Sequence, residues 1–199
     1  MIYLTSGDIN MKYTFYKVIR FIIRPFFYLI HNPKIEGLDN IPKSGGVILA
    51  GNHTGNLDAL LMIYGPNRVV HMMAKKELFK NFITNFIFKS MACISVNRSI
   101  HDENAKSEAM EVLKNNEVLG IFPEGTVNKT DKLILPFKFG AVSFAKKTGC
   151  PIVPLVIKGK YTKRNISIRY GKPYYVKDDL EKENKKLENI ISDMLKGEK

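Results

Sequence analysis

Cysteine occurs only twice in 199 residues, at Cys93 and Cys150. That pair makes neither a disulfide framework nor a metal-ligand spacing, so the sequence predicts reduced thiols in a cytosolic setting. No Pro/Gly/Ser-rich linker and no internal repeat divides the chain, which predicts one domain with a sizeable core. Long apolar runs are missing as well. The aromatic and aliphatic stretch over residues 11–31 is interrupted by Arg20 and Arg24 and bent by Pro25. Its longest apolar run is far short of the roughly 20 residues a bilayer core requires, so a transmembrane span is excluded there. Acidic residues are scarce, 19 against 31 basic, for a net charge of +12 and a pI near 9.6. Such a surplus implies an anionic partner, and its sign alone does not choose among nucleic acid, a phospholipid surface and a phosphorylated substrate. No recognised nucleic-acid motif is present, and the aromatics cluster with apolar residues instead of alternating with surface cations.

What is present begins with residues 11–31, which predict an amphipathic helix. Lys17, Arg20 and Arg24 fall at i, i+3 and i+7 on one face, while apolar residues fill the rest. Such a helix suits the plane of an anionic membrane interface, with cations at the phosphates and aromatic groups in the acyl boundary. The alternative is a helix packed on the domain with its cations in water. Residues 1–10 show no periodicity, as expected of a frayed terminus or of an upstream start codon. We therefore divide the chain into an N-terminal interfacial helical segment, 1–33, and a globular domain, 34–199.

From residue 47 onward strand and helix patterns alternate. Strands are predicted over 47–50, 68–74, 93–96, 118–122, 152–157, 166–170 and 174–176, and helices over 59–63, 75–87, 102–114, 137–147 and 178–195. The fold class expected is α/β, a mixed, largely parallel sheet flanked by helices. Pro154 inside the 152–157 run predicts an edge strand or a bulge. Phe79, Phe82 and Phe86, beside Lys75, Lys76, Lys80 and Lys89, suit either helix core or a surface that meets lipid.

The chemistry-bearing stretch is Asn52-His53-Thr54-Gly55-Asn56-Leu57-Asp58, set between two apolar runs. Five helical residues turn about 500°, so His53 and Asp58 would not share a face of a regular helix. They need a bend, which Gly55 and Asn56 permit. With it, the Asp58 carboxylate reaches one imidazole nitrogen and stabilises the imidazolium, while the other nitrogen takes a proton from an incoming hydroxyl. This is two thirds of a hydrolase triad without a serine, and the nucleophile could be a substrate alcohol. Alone, the pair also fits an aspartate that caps a helix beside an unrelated histidine. Arg98 follows the 93–96 strand, where open α/β sheets collect ligands. Pro123-Glu124-Gly125-Thr126 makes a tight turn after the 118–122 strand, exposing Glu124 and two backbone amides able to hold a phosphate.

Together these blocks resemble the glycerolipid acyltransferase family typified by 1-acylglycerol-3-phosphate acyltransferase. That family carries N-H-x-x-x-x-D, A-K-x-E-L, a strand ending in Asp/Glu-Arg, F-P-E-G-T and a late proline-containing strand. Here, in the same order, stand Asn52-His53 to Asp58, Ala74-Lys75-Lys76-Glu77-Leu78, Ile94-Ser95-Val96-Asn97-Arg98, Phe122-Pro123-Glu124-Gly125-Thr126 and Val153-Pro154-Leu155-Val156. The resemblance spans about residues 35–176. It implies a glycerol-3-phosphate acyltransferase-like fold and His53 as general base for the acceptor hydroxyl, oriented by Asp58. It further implies that Arg98, Glu124, Gly125 and Thr126 line the acceptor site, with Lys75 as a further phosphate ligand.

The implied reaction moves an acyl chain from acyl-CoA or acyl carrier protein to the sn-2 hydroxyl of 1-acylglycerol-3-phosphate, giving phosphatidic acid. No metal or other cofactor is expected, and the expected location is the cytoplasmic face of the membrane, attached peripherally. The partners expected are an anionic membrane surface and the lysophospholipid acceptor, and no nucleic acid. The alternatives are an acyltransferase for another lysolipid, or a non-catalytic peripheral membrane binder. Two of the blocks depart from the family pattern. The usual Thr-Arg-Ser reads Thr126-Val127-Asn128, and the acidic residue before Arg98 is Asn97. Either Lys75, Lys138 and Arg98 supply the missing cation, or the acceptor carries its anion elsewhere.

Overall fold

A computed structural model describes residues 13–197; the expectation for residues 1–10 lies outside the described residues. Its centre is β2 (Val47–Gly51), whose five residues are all buried, as a parallel strand covered on both faces requires. Around it forms a seven-stranded sheet in the order β1-β7-β6-β2-β5-β3-β4. The remaining strands are β1 (Lys34–Glu36), β3 (Val70–Lys75), β4 (Ile94–Val96), β5 (Val118–Ile121), β6 (Ile152–Lys158) and β7 (Ser167–Tyr170). Every pairing is parallel except β6 with β7, so the sheet is mixed and largely parallel, as predicted.

Helices cover both faces. On one side, α1 (Thr14–His31) and α2 (Asp58–Tyr64) pack Tyr16, Phe27, Leu61 and Tyr64 against Val47, Leu49, Val153 and Leu155. On the other, α4 (Glu103–Lys114), α5 (Gly140–Thr148) and α6 (Leu180–Lys196) pack Ala109, Leu113, Val142, Leu187 and Ile191 against Ile48, Ala50, Ile152 and Val156. The alternation of odd and even strand residues between these two cores is the period-two geometry of a strand. The short helix α3 (Phe82–Ser90) follows a 3-10 turn, Lys76–Phe79, where the sequence predicts one helix from residue 75.

Three further readings change. Pro154 lies in an interior strand, not at an edge, and pairs with Ala50 of β2. The Ile152 N–H donates to Tyr174 O, and Pro154 O accepts from Gly171 N–H, so residues 152 and 154 turn their backbone groups away from β2. The missing proline donor therefore faces the irregular segment at Gly171, and the β2 ladder is intact. Residues 174–176 are not a strand; Tyr174 makes a single bridge to Ile152. On α1, Arg20 does not face outward with its neighbours. It is half-buried and donates to Tyr64 O at 3.3 Å, while Arg24 sits 5.2 Å from the Tyr28 ring centroid.

The start of α1 is fixed to the sheet by Tyr13, whose hydroxyl donates to Glu117 at 2.6 Å, and by Tyr16, whose hydroxyl accepts from Val70 N–H at 3.1 Å. The turn leading into β2 is held by Arg68, which donates to the carbonyls of Pro42, Gly45 and Asn116 at 2.8, 2.6 and 2.6 Å. The opposite face of α1 stays open: Phe21 is 79% and Leu29 72% exposed, and Phe82 of α3 is 85% exposed. Phe15 and Phe86 join the two helices through an edge-to-face contact at 5.7 Å. No helix among the described residues is long and apolar enough to cross a membrane.

Candidate active site

The chain leaves β2 at Gly51 and enters α2 at Asp58, and the six residues between form the predicted bend. Asn52 closes the end of the strand. Its amide nitrogen donates to Ile157 O at 3.0 Å and its oxygen accepts from Ile157 N–H at 2.8 Å, so a side chain replaces one rung of the β2–β6 ladder. The backbone of His53 is held on both sides: its N–H donates to Glu124 Oε1 at 2.7 Å, and its carbonyl accepts from Asn128 N–H at 2.8 Å.

The His53 ring lies flat on Phe122, with centroids 4.1 Å apart and planes 8° apart. Its Nδ1 is 3.0 Å from Asp58 Oδ2. Asp58 is wholly buried, and its Oδ2 also accepts from the N–H groups of Thr54 at 2.5 Å and Gly55 at 2.8 Å. Oδ1 accepts from the Tyr161 hydroxyl at 2.7 Å and from Thr54 Oγ1 at 3.3 Å. Oδ2 accepts from two backbone amides and is an acceptor toward the imidazole as well, which puts the imidazole proton on Nδ1 and leaves the Nε2 lone pair free. Nε2 has no hydrogen-bond partner among the described residues, and the side chain keeps 16% exposure. The arrangement has one chemical capacity, to accept a proton at Nε2 from a hydroxyl that approaches the open edge.

The other predicted residues separate into two groups. Glu124 sits beside His53 but is buried, and both carboxylate oxygens are taken by backbone amides, those of His53 and of Leu135. Burial pushes its carboxyl above the usual range, against the two amide bonds that favour the charged form. Its chemistry is to join the β2 and β5 loops. Gly125 has φ +70, open to glycine, and an added Cβ there would meet Lys138 Cε and Nζ at 3.0 Å. Arg98 Nη1 donates to the Gly125 carbonyl at 2.6 Å, so Arg98 and Lys138 bring two cations to one turn. Lys75 ends β3 exposed, and Thr126 is exposed on the same loop as Glu124; neither side chain makes a hydrogen bond or ion pair with the described residues.

Four residues of the site carried no individual role in the sequence: Asn52, Phe122, Asn128 and Tyr161. The first three lie in or beside recognisable blocks, so a reading of each block residue by residue would have found them. Tyr161 is separated from Asp58 by 103 positions and follows a lysine-rich turn, with no linear signal that connects them. A cavity of about 700 Å³ lies elsewhere, between α1, α3 and α4, with Tyr13, Phe79, Phe86 and Glu111 in its wall. Among the described residues no cluster of His, Cys, Asp or Glu is placed to hold a metal.

The Acyltransferase family model matches residues 32–158. A 1-acyl-sn-glycerol-3-phosphate acyltransferase of Borreliella burgdorferi is 32% identical over 175 residues, covering 81% of this chain and 69% of that protein. The enzyme of the same description from Bacillus subtilis is 30% identical, covering 73% and 75%. The crystal structure of the 1-acyl-sn-glycerophosphate (LPA) acyltransferase PlsC from Thermotoga maritima superposes with a TM-score of 0.78 at 25% identity, over 98% of this chain and 83% of that one.

Proposed function

The chain belongs to the Acyltransferase family, and from that premise we propose how it acts as a 1-acyl-sn-glycerol-3-phosphate acyltransferase. It acylates the free sn-2 hydroxyl of 1-acylglycerol-3-phosphate and yields phosphatidic acid. His53 Nε2 takes the proton of that hydroxyl as the oxygen attacks the carbonyl carbon of an acyl thioester. The tetrahedral adduct collapses, the C–S bond breaks, and the imidazolium returns the proton to the leaving thiolate. Asp58 fixes the Nδ1–H tautomer and stabilises the imidazolium. The acceptor supplies the nucleophile, so no acyl-enzyme forms and no cofactor is needed. The observation that carries this reading is the 3.0 Å His53–Asp58 contact on a histidine whose other nitrogen is open.

The acceptor phosphate is met by Arg98 and Lys138 at the Gly125 turn, where the cations replace the arginine that Val127 does not provide. The donor is acyl-CoA or acyl carrier protein. The uncovered faces of α1 and α3, together with the +12 charge, support attachment to the anionic membrane surface on which the acceptor lies. The test uses His53→Ala with labelled acyl-CoA and acyl carrier protein donors and a panel of lysolipids. Loss of transfer with an unchanged circular dichroism spectrum is expected. Retained turnover would remove His53 as the base, and turnover on a lysolipid other than 1-acylglycerol-3-phosphate would redirect the acceptor assignment.

A further inference from the structure

Among the described residues, Asp58 receives one hydrogen bond from outside its own loop, and it comes from Tyr161. Tyr161 opens a single 3-10 turn, Tyr161–Lys163, just past β6. Its ring packs edge-on against His31 at 5.4 Å and Phe27 at 6.3 Å, both from α1. Its carbonyl accepts from His31 Nδ1 at 3.2 Å. Three residues on, Arg164 Nη2 donates to Leu29 O at 3.0 Å and ties down one of the last carbonyls of α1. The last turn of α1 and the turn that holds Tyr161 are thus one packed unit, and the tyrosine hydroxyl is its contact with Asp58.

Resting on the His53–Asp58 reading above, we infer that Tyr161 is a positioning residue for acyl transfer, holding the Asp58 carboxylate in the orientation that serves His53 and being held itself by the last turn of α1. The loop already supplies Oδ2 with two backbone donors beside His53. Among the described residues, Oδ1 has only the Tyr161 hydroxyl at 2.7 Å and a long contact to Thr54 Oγ1 at 3.3 Å. Remove the hydroxyl, and an oxygen of a wholly buried carboxylate loses its short donor, which frees the carboxylate to rotate away from the imidazole. The lost donor also concentrates charge on the carboxylate, which favours the imidazolium over the neutral ring. The charged groups that face His53 are Asp58 from α2 and Glu124 from the loop after β5, and of the two only Asp58 bonds to Tyr161.

The test is Tyr161→Phe in the full chain, which keeps the ring against His31 and Phe27 and deletes only the donor. A fall in kcat of about tenfold is expected, the size of one hydrogen bond to a charged group. Acceptor KM should be unchanged, and the acid limb of the kcat/KM profile should move to higher pH by some tenths of a unit to about one unit. Arg164→Ala, which loosens the seat of α1 without touching Asp58, should lower kcat by a smaller factor. Wild-type kcat with a wild-type acid limb in Tyr161→Phe overturns the inference. So does a raised acceptor KM with an unmoved limb, since that marks a substrate contact instead. His53→Ala measured alongside keeps the two readings apart. If His53→Ala retains turnover the dyad itself fails, whereas a dead His53→Ala beside a normal Tyr161→Phe fails Tyr161 alone.

Discussion

Glu124→Gln separates two roles open to the turn after β5, contact with the acceptor and support of the loop that carries His53. Glu124 is 4% exposed; Oε1 lies 2.7 Å from the His53 amide nitrogen and Oε2 lies 2.8 Å from that of Leu135. Glutamine has the same shape but one acceptor oxygen, so its NH2 must face one of those amides, donor against donor. Losing that bond and stranding a buried N–H costs about 1–3 kcal/mol. With a urea m-value of roughly 2 kcal/mol/M, the unfolding midpoint falls by about 0.5–1.5 M. One of the two amides at risk belongs to His53, so kcat should fall by about an order of magnitude while acceptor KM holds. Urea titration and initial rates with a labelled donor read the two effects. An unmoved midpoint together with a raised KM would refute the reasoning, because the carboxylate would then be serving the acceptor.

The pH dependence gives a second readout of the same substitution. Because burial raises the Glu124 carboxyl, the folded state keeps its proton to a higher pH than the unfolded chain. The contribution to stability is complete below the ordinary value of 4.5 and is lost as pH rises through the raised one. The Gln variant should lack that decline. A decline of equal size in the variant would assign it to another group.

Arg98→Ala should raise acceptor KM about tenfold with little change in kcat, if the guanidinium that now bonds Gly125 O also meets the acceptor phosphate; initial rates against acceptor concentration decide, and an unchanged KM removes Arg98 from the site. Phe21→Ser with Phe82→Ser should weaken sedimentation with anionic vesicles while leaving the melting temperature within a degree or two of wild type, as both side chains are exposed; undiminished sedimentation argues against attachment through α1 and α3. Arg68→Ala releases three carbonyls that frame the entry to β2, and should cost about 2–3 kcal/mol, or roughly 5–10 °C in Tm by calorimetry. A shift under one degree would show that the carbonyls are as well served by water.

Features with a local physical cause were legible in the sequence. The apolar run before Asn52 could only be a buried strand in an alternating chain, and the five-residue spacing of His53 and Asp58 already demanded the bend that the structure contains. Partners across the sheet were not. Pro154 was read from the rule that a strand proline lacks a ladder donor, but the rule acts on one side of a strand at a time, and residue 154 turns its nitrogen away from β2. The aromatic pair Tyr174-Tyr175 carries strand propensity, yet Lys172 and Pro173 precede it and only one bridge forms. Helical spacing put Lys17, Arg20 and Arg24 on one face without saying which part of that face meets the protein, and Arg20 turned inward to Tyr64. Glu124 was seen as an exposed ligand because it follows a strand in a tight turn; only the fold brings the amides of His53 and Leu135 to it.

The position of β2 has a consequence for the order in which the molecule comes into being. The strand that delivers His53 has no hydrogen-bonded neighbour in its own half of the chain: one side is β5, at Val118–Ile121, and the other is β6, at Ile152–Lys158. Such long-range pairings close late and slowly. During synthesis α1, with its aromatic outer face, emerges while its histidine still has no sheet to stand on. A ribosome that stalls before β6 is out holds a polypeptide in which β2 still lacks one of its two neighbours. Newly made protein therefore has its aromatic helix in hand before the strand that delivers His53 is paired on both sides.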